Sequence, residues 1–566
     1  MPCINCYIAA MQQVITSWLP SLVAAAFVWL TAATLGRRAR AAPLRVPMYG
    51  PTWLPPFIRG IMAAVKLGQD EDEFLMAANK QYGPAVYLPW PLKQYFVTDA
   101  DEIQRVYESK ALNFQPVRLQ MQGDVFGSER HVVQSGVLES QLFAAHSRGL
   151  SKAKLEEPVA RFNMNVQQTI ERVLAQIDSS SSGATETDLI ELVTNALYEG
   201  ATPALFGHTL FDFDSEQPVA SFQATRAKFW AFDEAFPLFA AGLPTLFQSV
   251  IPVAYRGKQG RSHVAKHIGQ WIDHDLPGLD SGVVRDMADI GRRAQWSAVE
   301  SGKLLLGTYW ALQANAPFAA AHHITCLVQS SLLPRVLDEV SEHVDSFDDP
   351  LSFATLSSSS SLPLLTSTIW ETLRLNASSF SLRLVGENGY DVATKDKTMT
   401  IPPSSAIVCA TRVSQLSESI WGKDAKLWKG DRFLTKDKNE DGKPVLDNQL
   451  VRSVRAFGGG VSMCEGRHLA LVELKSFAIQ FFTRINVTVK TPSTAEEKST
   501  LREFRYGDSD RLDGPGKVGY TPVLRSGRGK PELHVLVYMS RELTFAYGRT
   551  KSEWVYTSKE LLCPSF

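Results

Sequence analysis

The sequence is poor in cysteine. Its 566 residues include only six cysteines, and apart from Cys3 and Cys6 these lie far apart along the chain. So few thiols in so long a chain do not make the disulfide framework that supports small secreted domains. The composition therefore indicates a reduced main body that faces the cytosol.

The sequence also lacks an excess of either charge. It has 58 basic and 59 acidic residues, for a formal net charge of −1. A nucleic-acid-binding protein would show a basic excess, so that class is excluded. We find no internal repeat and no glycine-rich phosphate loop. With 45% apolar residues, the chain has enough material for one large fold or two smaller ones.

Charged residues are missing from one long stretch near the N-terminus. Residues 8–35 are uncharged and rich in Ala, Val, Leu, Phe and Trp. The stretch exceeds the ~20 residues that span a bilayer as a helix. Arg37, Arg38 and Arg40 follow it, so the positive-inside rule puts the rest of the chain in the cytoplasm. We predict a membrane anchor over 1–36; a cleaved signal peptide, the alternative, would carry its positive charges ahead of the apolar run.

A proline-rich segment separates this anchor from the main domain. Five prolines fall between positions 43 and 56. Because proline breaks helices, we predict a stiff, extended hinge over 37–60. Residues 61–566 then form the main domain.

Within the main domain, helical patterns predominate. Residues 85–88 and 94–98 predict a strand pair after the Gly83-Pro84 turn. Helical periodicity extends from about residue 100 to residue 375, and strand-like segments return after that. The fold class that we predict is mainly α with small β-sheets.

The strongest chemical signal is a glycine-rich loop that ends in a cysteine. Three glycines, 458–460, are followed by Cys464 and then by an amphipathic helical stretch. Bare backbone in such a loop can approach a flat, bulky ligand closely. N–H groups at the start of a helix hydrogen-bond a sulfur and lower the pKa of its thiol. A thiolate held this way is a strong axial ligand for iron.

This loop resembles the haem-binding signature of the cytochrome P450 superfamily, Phe-x-x-Gly-x-basic-x-Cys-x-Gly. Phe457, Gly460, Cys464 and Gly466 match it, whereas Ser462 stands where a basic residue normally bonds a haem propionate. The resemblance implies the cytochrome P450 fold and haem b as cofactor, with Cys464 as the axial ligand of the iron. The alternative is a buried structural cysteine after a glycine turn.

Two arginine-containing segments support the resemblance. Glu371 and Arg374 share a helix face at i, i+3 and resemble the family's Glu-x-x-Arg motif, which Arg432 would complete as a structural network. A solvated surface pair is the alternative. Arg383, on a strand-like run, corresponds to an arginine that reaches a haem propionate in relatives. Its alternative is a solvent-facing strand arginine.

A long helical pattern over 302–329 would lie on the oxygen side of the haem. Most of the superfamily carries an acid followed by a threonine here, and this chain has neither. Asn315 stands at or beside the alcohol position. Pro317 lacks an N–H, so the carbonyl of Gln313 loses its helical partner. We predict catalytic roles for Asn315 and Pro317 in holding water; an ordinary kink is the alternative. For His322 and His323, a packing role is favoured over a proton role.

The pattern Trp-Ala-x-Gln-Ala-Asn…Pro resembles one branch of the superfamily. That branch contains cholesterol 7α-hydroxylase, sterol 12α-hydroxylase and prostacyclin synthase, together with fungal relatives. Residues 125–127, 146–152 and 510–516 also resemble it. The resemblance covers roughly residues 43 to 538.

The resemblance implies a haem-thiolate monooxygenase of the endoplasmic reticulum membrane. An NADPH-cytochrome reductase would supply electrons, and one oxygen atom would enter an apolar polycyclic substrate such as a sterol, terpenoid or related secondary metabolite. An isomerase or dehydratase like prostacyclin synthase, which needs no reductase, is the alternative. A haem-based sensor or lipid-binding pseudoenzyme is disfavoured by the joint presence of Cys464, Glu371, Arg374 and Arg432.

Overall fold

A computed structural model describes most of the chain. The described residues are 45–179, 184–211, 218–240, 242–358, 361–377, 380–393, 398–438, 442, 444–489 and 536–540. The anchor predicted over 1–36 and the segment 510–516 lie outside them. Within those ranges, we find no helix whose length and apolar character would let it span a membrane.

Helices make up most of the described chain. Up to residue 250 they are α1 (Pro56–Gln69), α2 (Glu71–Tyr82), α3 (Ala100–Glu108), α4 (Gln115–Asp124), α5 (Arg130–Val133), α6 (Phe143–Gly149), α7 (Glu156–Ser179), α8 (Leu189–Phe206), α9 (Pro218–Ala240) and α10 (Thr245–Val250). Beyond it they are α11 (Pro252–Asp273), α12 (Val283–Arg293), α13 (Ala298–Gln313), α14 (Ala316–Val328), α15 (Leu333–Ser346), α16 (Phe353–Leu356), α17 (Pro363–Asn376), α18 (Thr411–Gln415), α19 (Glu418–Trp421), α20 (Asn448–Val451) and α21 (Arg467–Phe482).

The strands form four small sheets among the described residues. They are β1 (Ala85–Leu88), β2 (Gln94–Val97), β3 (Leu112–Asn113), β4 (Ala184–Asp188), β5 (Phe380–Val385), β6 (Tyr390–Ala393), β7 (Thr398–Ile401), β8 (Ala406–Ala410), β9 (Leu434–Lys438), β10 (Pro444–Leu446), β11 (Asn486–Val489) and β12 (Leu536–Ser540). The largest sheet has the order β1-β2-β8-β5-β3. The others pair β9 with β10, β6 with β7, and β12 with both β11 and β4. A mainly helical fold with small sheets is thereby confirmed.

The largest sheet joins distant parts of the chain. Strands β1 and β2 pair antiparallel, as their sequence pattern predicts. Strand β2 then pairs in parallel with β8, and β8 pairs antiparallel with β5. Alternate side chains of a strand point to opposite faces, so this register fixes the face on which Arg383 of β5 lies.

The proline-rich segment is shorter than its composition predicts. Helix α1 begins at Pro56, inside the hinge predicted over 37–60. Pro56 lies in the first turn, where the missing N–H would have no intrahelical partner, so proline there starts a helix rather than breaking one. The helix start at Pro56 therefore corrects the predicted extended segment for residues 56–60.

Close contacts at glycines hold three long helices of the core together. A Cβ on Gly302 of α13 would lie 2.1 Å from the Ala265 carbonyl oxygen of α11. A Cβ on Gly260 of α11 would lie 2.2 Å from the Lys228 carbonyl oxygen of α9. These backbones are too close for any side chain at those positions, so the glycines set the distance between α9, α11 and α13.

We expect Gly302→Ala to destabilise the fold. Alanine favours a helix interior by about 1 kcal/mol relative to glycine. Overpacking against rigid backbone costs about 1–3 kcal/mol, and a contact of 2.1 Å belongs at the upper end of that range. The net loss should be about 2 kcal/mol, measured as a lowered thermal unfolding midpoint.

Gly123→Ala is the matched control for this prediction. Gly123 is also helical, and its nearest neighbour would be a Val133 methyl carbon at 3.8 Å, an ordinary contact. This variant should be as stable as the natural chain or slightly more stable. Equal unfolding midpoints for the two alanine variants would contradict the close-packing argument.

Candidate active site

The cysteine loop is packed against helix α3. Gly458 and Gly460 adopt positive φ angles of 72° and 61°. A Cβ on Gly460 would lie 2.2 Å from the carbonyl oxygen of Tyr107, and one on Gly459 would lie 2.6 Å from the Tyr107 ring. The loop therefore requires glycine for both its backbone conformation and its close approach to α3.

The sulfur of Cys464 is held at the start of helix α21. The Cys464 N–H donates to the Phe457 carbonyl at 2.9 Å, which closes the loop. Burial raises the pKa of the Cys464 thiol, while backbone N–H groups of Gly466 and Arg467 bond the sulfur and lower that pKa in part. The residue nevertheless has accessible surface.

Arg383 lies beside this loop as a buried cation. Its side chain is only 1% exposed. Its guanidinium donates to the Gly459 carbonyl at 3.2 Å and to the Ser462 hydroxyl. No carboxylate forms an ion pair with Arg383 among the described residues. The structure thus brings Arg383 together with the cysteine loop, and Ser462 serves as its acceptor.

Glu371, Arg374 and Arg432 come together in one buried network. Arg374 donates to both oxygens of the Glu371 carboxylate, at 2.7 and 2.8 Å. Arg432 and the Lys429 N–H donate to the same carboxylate, each at 2.9 Å. The side chains of Glu371 and Arg374 are 0% exposed, and that of Arg432 is 7% exposed. The ion pairs of this network are therefore not solvated surface pairs. Because the charges are removed from water, each one depends on its partners for stabilisation.

The network is in contact with the cysteine loop through one aromatic pair. Trp370, which precedes Glu371 on α17, meets Phe457 edge to face, with ring centroids 5.8 Å apart. Phe457 is the first residue of the loop. Helix α17, which carries two members of the network, therefore contacts the loop directly.

The predicted oxygen-side helix is divided in two. Helix α13 ends at Gln313 and α14 begins at Ala316, with Pro317 in the first turn of α14. Pro317 has no N–H to offer the Gln313 carbonyl, which explains the break. Pro317 is buried, whereas Asn315 is exposed and its side chain makes no capping bond. The break falls at the kink predicted at Pro317 within the helical pattern over 302–329.

His322 and His323 are packed in the interior. Both are less than 5% exposed. Burial lowers the pKa of His322 to about 4 and that of His323 to about 3, so both are neutral at pH 7. Nε2 of His323 lies 2.9 Å from the Thr368 hydroxyl of α17. The two histidines thus join α14 to its neighbours.

The sequence pattern did not predict a charged group that lies beside the cysteine. Arg118 of α4 donates to both Glu465 oxygens, at 3.3 and 3.1 Å, and Nδ1 of His146 on α6 contacts the same carboxylate. We call these three residues the Glu465 cluster. Burial raises the pKa of Glu465, but its bonds to His146 and Arg118 outweigh this effect, so the pKa lies below its ordinary value. The partners are 347 and 319 residues away in sequence, and no local pattern signals such contacts.

These residues fit a haem. Cys464 offers an exposed residue whose sulfur has backbone N–H donors around it, which suits a thiolate ligand of iron. Arg383 offers a buried cation without a carboxylate, which suits a propionate. Cys464 and Arg383 would hold the haem, and the other motif residues, Phe457, Gly460 and Gly466, shape the loop around the sulfur.

Comparisons with known proteins point to one family. Residues 325–504 match the family Cytochrome P450, a range that contains all of the network residues, Arg383 and Cys464. The chain is similar to Cytochrome P450 7A1 of Sus scrofa, with 24% identity over 485 residues, which cover 80% of this chain and 93% of the relative.

Two further relatives extend the comparison. A 5-beta-cholestane-3-alpha,7-alpha-diol 12-alpha-hydroxylase of Sus scrofa is 24% identical over 331 residues, 57% of this chain and 64% of the relative. A Cytochrome P450 monooxygenase of Gibberella zeae is 22% identical over 463 residues, 79% of this chain and 83% of the relative. The relatives thus include sterol hydroxylases and a fungal monooxygenase, which confirms the branch to which the kinked-helix pattern points.

We expect Arg432→Met to prevent stable folding around the cysteine loop. Removing one member of a buried charge network costs about 3–5 kcal/mol, because the remaining charge stays desolvated without its partner. Thermal unfolding and the haem content of the purified chain measure this loss.

Arg335→Met is the control. Arg335 pairs with Asp431 at 4.0 Å, and both side chains are exposed. Such a pair contributes under ~1 kcal/mol, so this variant should retain its haem and its midpoint. If Arg432→Met and Arg335→Met had equal unfolding midpoints and equal haem content, the buried network would not be needed for stable folding.

Proposed function

This chain belongs to the cytochrome P450 superfamily and is an oxidoreductase of the monooxygenase type, and from this premise we propose its reaction. It inserts one oxygen atom from dioxygen into an apolar polycyclic substrate: a sterol, a terpenoid or a related secondary metabolite. Electrons come from NADPH through an NADPH-cytochrome reductase.

The observation that carries the proposal is the setting of Cys464. Backbone N–H groups of Gly466 and Arg467 bond its sulfur at the start of α21. When bound, haem b supplies the activation of dioxygen, which a thiolate ligand favours. The chain orients the sulfur through these donors and provides Arg383 as a buried cation for a propionate.

Aromatic packing around the broken helix supports an apolar substrate. Trp310 of α13 stacks on Phe236 of α9, with ring centroids 4.1 Å apart. Phe318 of α14 meets Trp230 of α9 edge to face at 5.4 Å. Ala311, in the last turn of α13, and Asn315, at the break, are exposed, whereas Leu312, Gln313 and Ala314 between them are buried. A mostly apolar wall with one amide suits a lipophilic molecule.

Polar groups at the helix break support a role in handling oxygen. The side-chain amide of Asn315 makes no capping bond, and the Gln313 carbonyl has no N–H opposite it at Pro317. In the proposed mechanism these two groups hold a water molecule at the break. That water takes the place of the acid and alcohol that most of the superfamily uses for proton delivery.

We place the protein in the endoplasmic reticulum membrane, with a single span over 1–36 and the catalytic domain in the cytosol. The support comes from the uncharged residues 8–35 and from exposed apolar side chains beyond them. Phe57, Ile61 and Val65 of α1, at i, i+4 and i+8, are 44%, 44% and 53% exposed. Such a stripe on the helix that follows an anchor suits the membrane interface.

Turnover under labelled dioxygen tests the reaction. Membranes containing this chain and a reductase should convert a responsive sterol or terpenoid into a product that carries one labelled oxygen, only when NADPH is present. Cys464→Ala should abolish both this product and the thiolate-type spectrum, whereas Cys409→Ala, at a buried cysteine of β8, should retain them. A product of equal mass formed without NADPH would overturn the proposal in favour of an isomerase.

Fractionation of sealed microsomes tests the location. The full chain should stay in the pellet after an alkaline carbonate wash, because a spanning helix resists extraction. Protease added outside the vesicles should digest the main domain while a lumenal marker protein survives. Release by carbonate, or protection of the main domain, would contradict the single-span cytosolic arrangement.

A further inference from the structure

Glu465 follows the proposed iron ligand directly and is held by Arg118 and His146. Arg118 donates two hydrogen bonds to the Glu465 carboxylate, at 3.3 and 3.1 Å, and His146 contacts one of the same oxygens. The side chains of Arg118, His146 and Glu465 are 26%, 14% and 24% exposed, so water only partly screens their charges. A two-pronged guanidinium–carboxylate contact also fixes orientation.

The cluster ties the cysteine loop to a distant part of the chain. Arg118 lies on α4 and His146 on α6, both in the N-terminal third. The Arg118 guanidinium also lies 3.8 Å above the ring of Phe143 on α6, so the two helices support each other at this point. The residue after the cysteine is therefore held by side chains from both α4 and α6.

Without Arg118, the charge of Glu465 would oppose the thiolate ligand. A carboxylate next to a thiolate places two like charges close together, which disfavours the thiolate. Arg118 always carries a positive charge and offsets the carboxylate. The Glu465 cluster thus combines mechanical support for the loop with local charge balance.

We propose that Glu465 is a positioning residue, and that Arg118 and His146 hold it so that the direction of the Cys464 sulfur and the charge beside it are both set. The proposal rests on the proposed haem-thiolate function. It assigns to Arg118 control over the stability of the thiolate ligand and over the midpoint potential of the bound iron.

Opposite shifts in potential test this proposal in the full-length haem protein. Arg118→Met leaves the Glu465 charge uncompensated, so the ferric–ferrous midpoint potential should become more negative. Its ferrous carbonyl complex should change from the thiolate-type to the thiol-type spectrum about tenfold faster. Glu465→Gln keeps the side-chain shape but removes the negative charge, so the potential should become more positive.

The double variant and two controls separate charge from simple structural support. Arg118→Met combined with Glu465→Gln should return the potential towards that of the natural chain, because the local charge is balanced again. Arg118→Lys, which keeps the charge, should also restore the potential in part. Arg256→Met removes an exposed arginine whose partner Glu234 is also exposed, and it should leave both readouts unchanged.

The outcomes are distinguishable. Single variants whose potentials shift in the same direction, or do not shift, would overturn the positioning proposal. So would a double variant whose potential stays shifted as far as that of either single variant, which is the result expected when all three lose the same structural contact. A natural chain that lacks the thiolate-type spectrum altogether would instead overturn the proposed function.

Discussion

One buried carboxylate, that of Glu371, is the constraint on which the catalytic half of the molecule depends. Removing this charge from water costs several kcal/mol, which only a full set of donors offsets. Arg374 comes from the same helix, whereas Arg432 and the Lys429 N–H come from the segment before β9. The carboxylate is therefore satisfied only when both segments are in place. Because Trp370 packs on Phe457, the cysteine loop is built on this completed network.

The glycines of the cysteine loop provide no side chains that could stabilise its shape. Its consecutive glycines have no side chains, and their value lies in close approach to Tyr107. Side chains from elsewhere hold the two ends of the loop. Arg383 of β5 binds the first part through Gly459 and Ser462, and the Glu465 cluster binds the part after the cysteine. The sulfur of Cys464 lies between these attachments, which explains how a flexible sequence presents a ligand in one direction.

On the oxygen side of the proposed haem site, the backbone at the helix break provides a polar group. Pro317 removes one N–H from a helix that is otherwise buried, and the break leaves a carbonyl and the Asn315 amide as polar groups on an apolar wall. A neutral pair of this kind can orient water but adds no charge of its own. This agrees with the two neutral histidines that follow, whose burial keeps them uncharged at pH 7.

The sequence alone determined those features whose signals are local. These are the glycine–cysteine loop, the i, i+3 spacing of Glu371 and Arg374, the first strand pair and the helical majority. Tertiary structure decided that the Glu371 network is buried, that Ser462 accepts from Arg383, that α1 starts at Pro56 and that Glu465 meets Arg118 and His146. Periodicity and motif spacing report on neighbours within a few residues of each other. Burial and charge pairing across hundreds of residues depend on how helices and sheets pack, and this packing leaves no local pattern in the sequence.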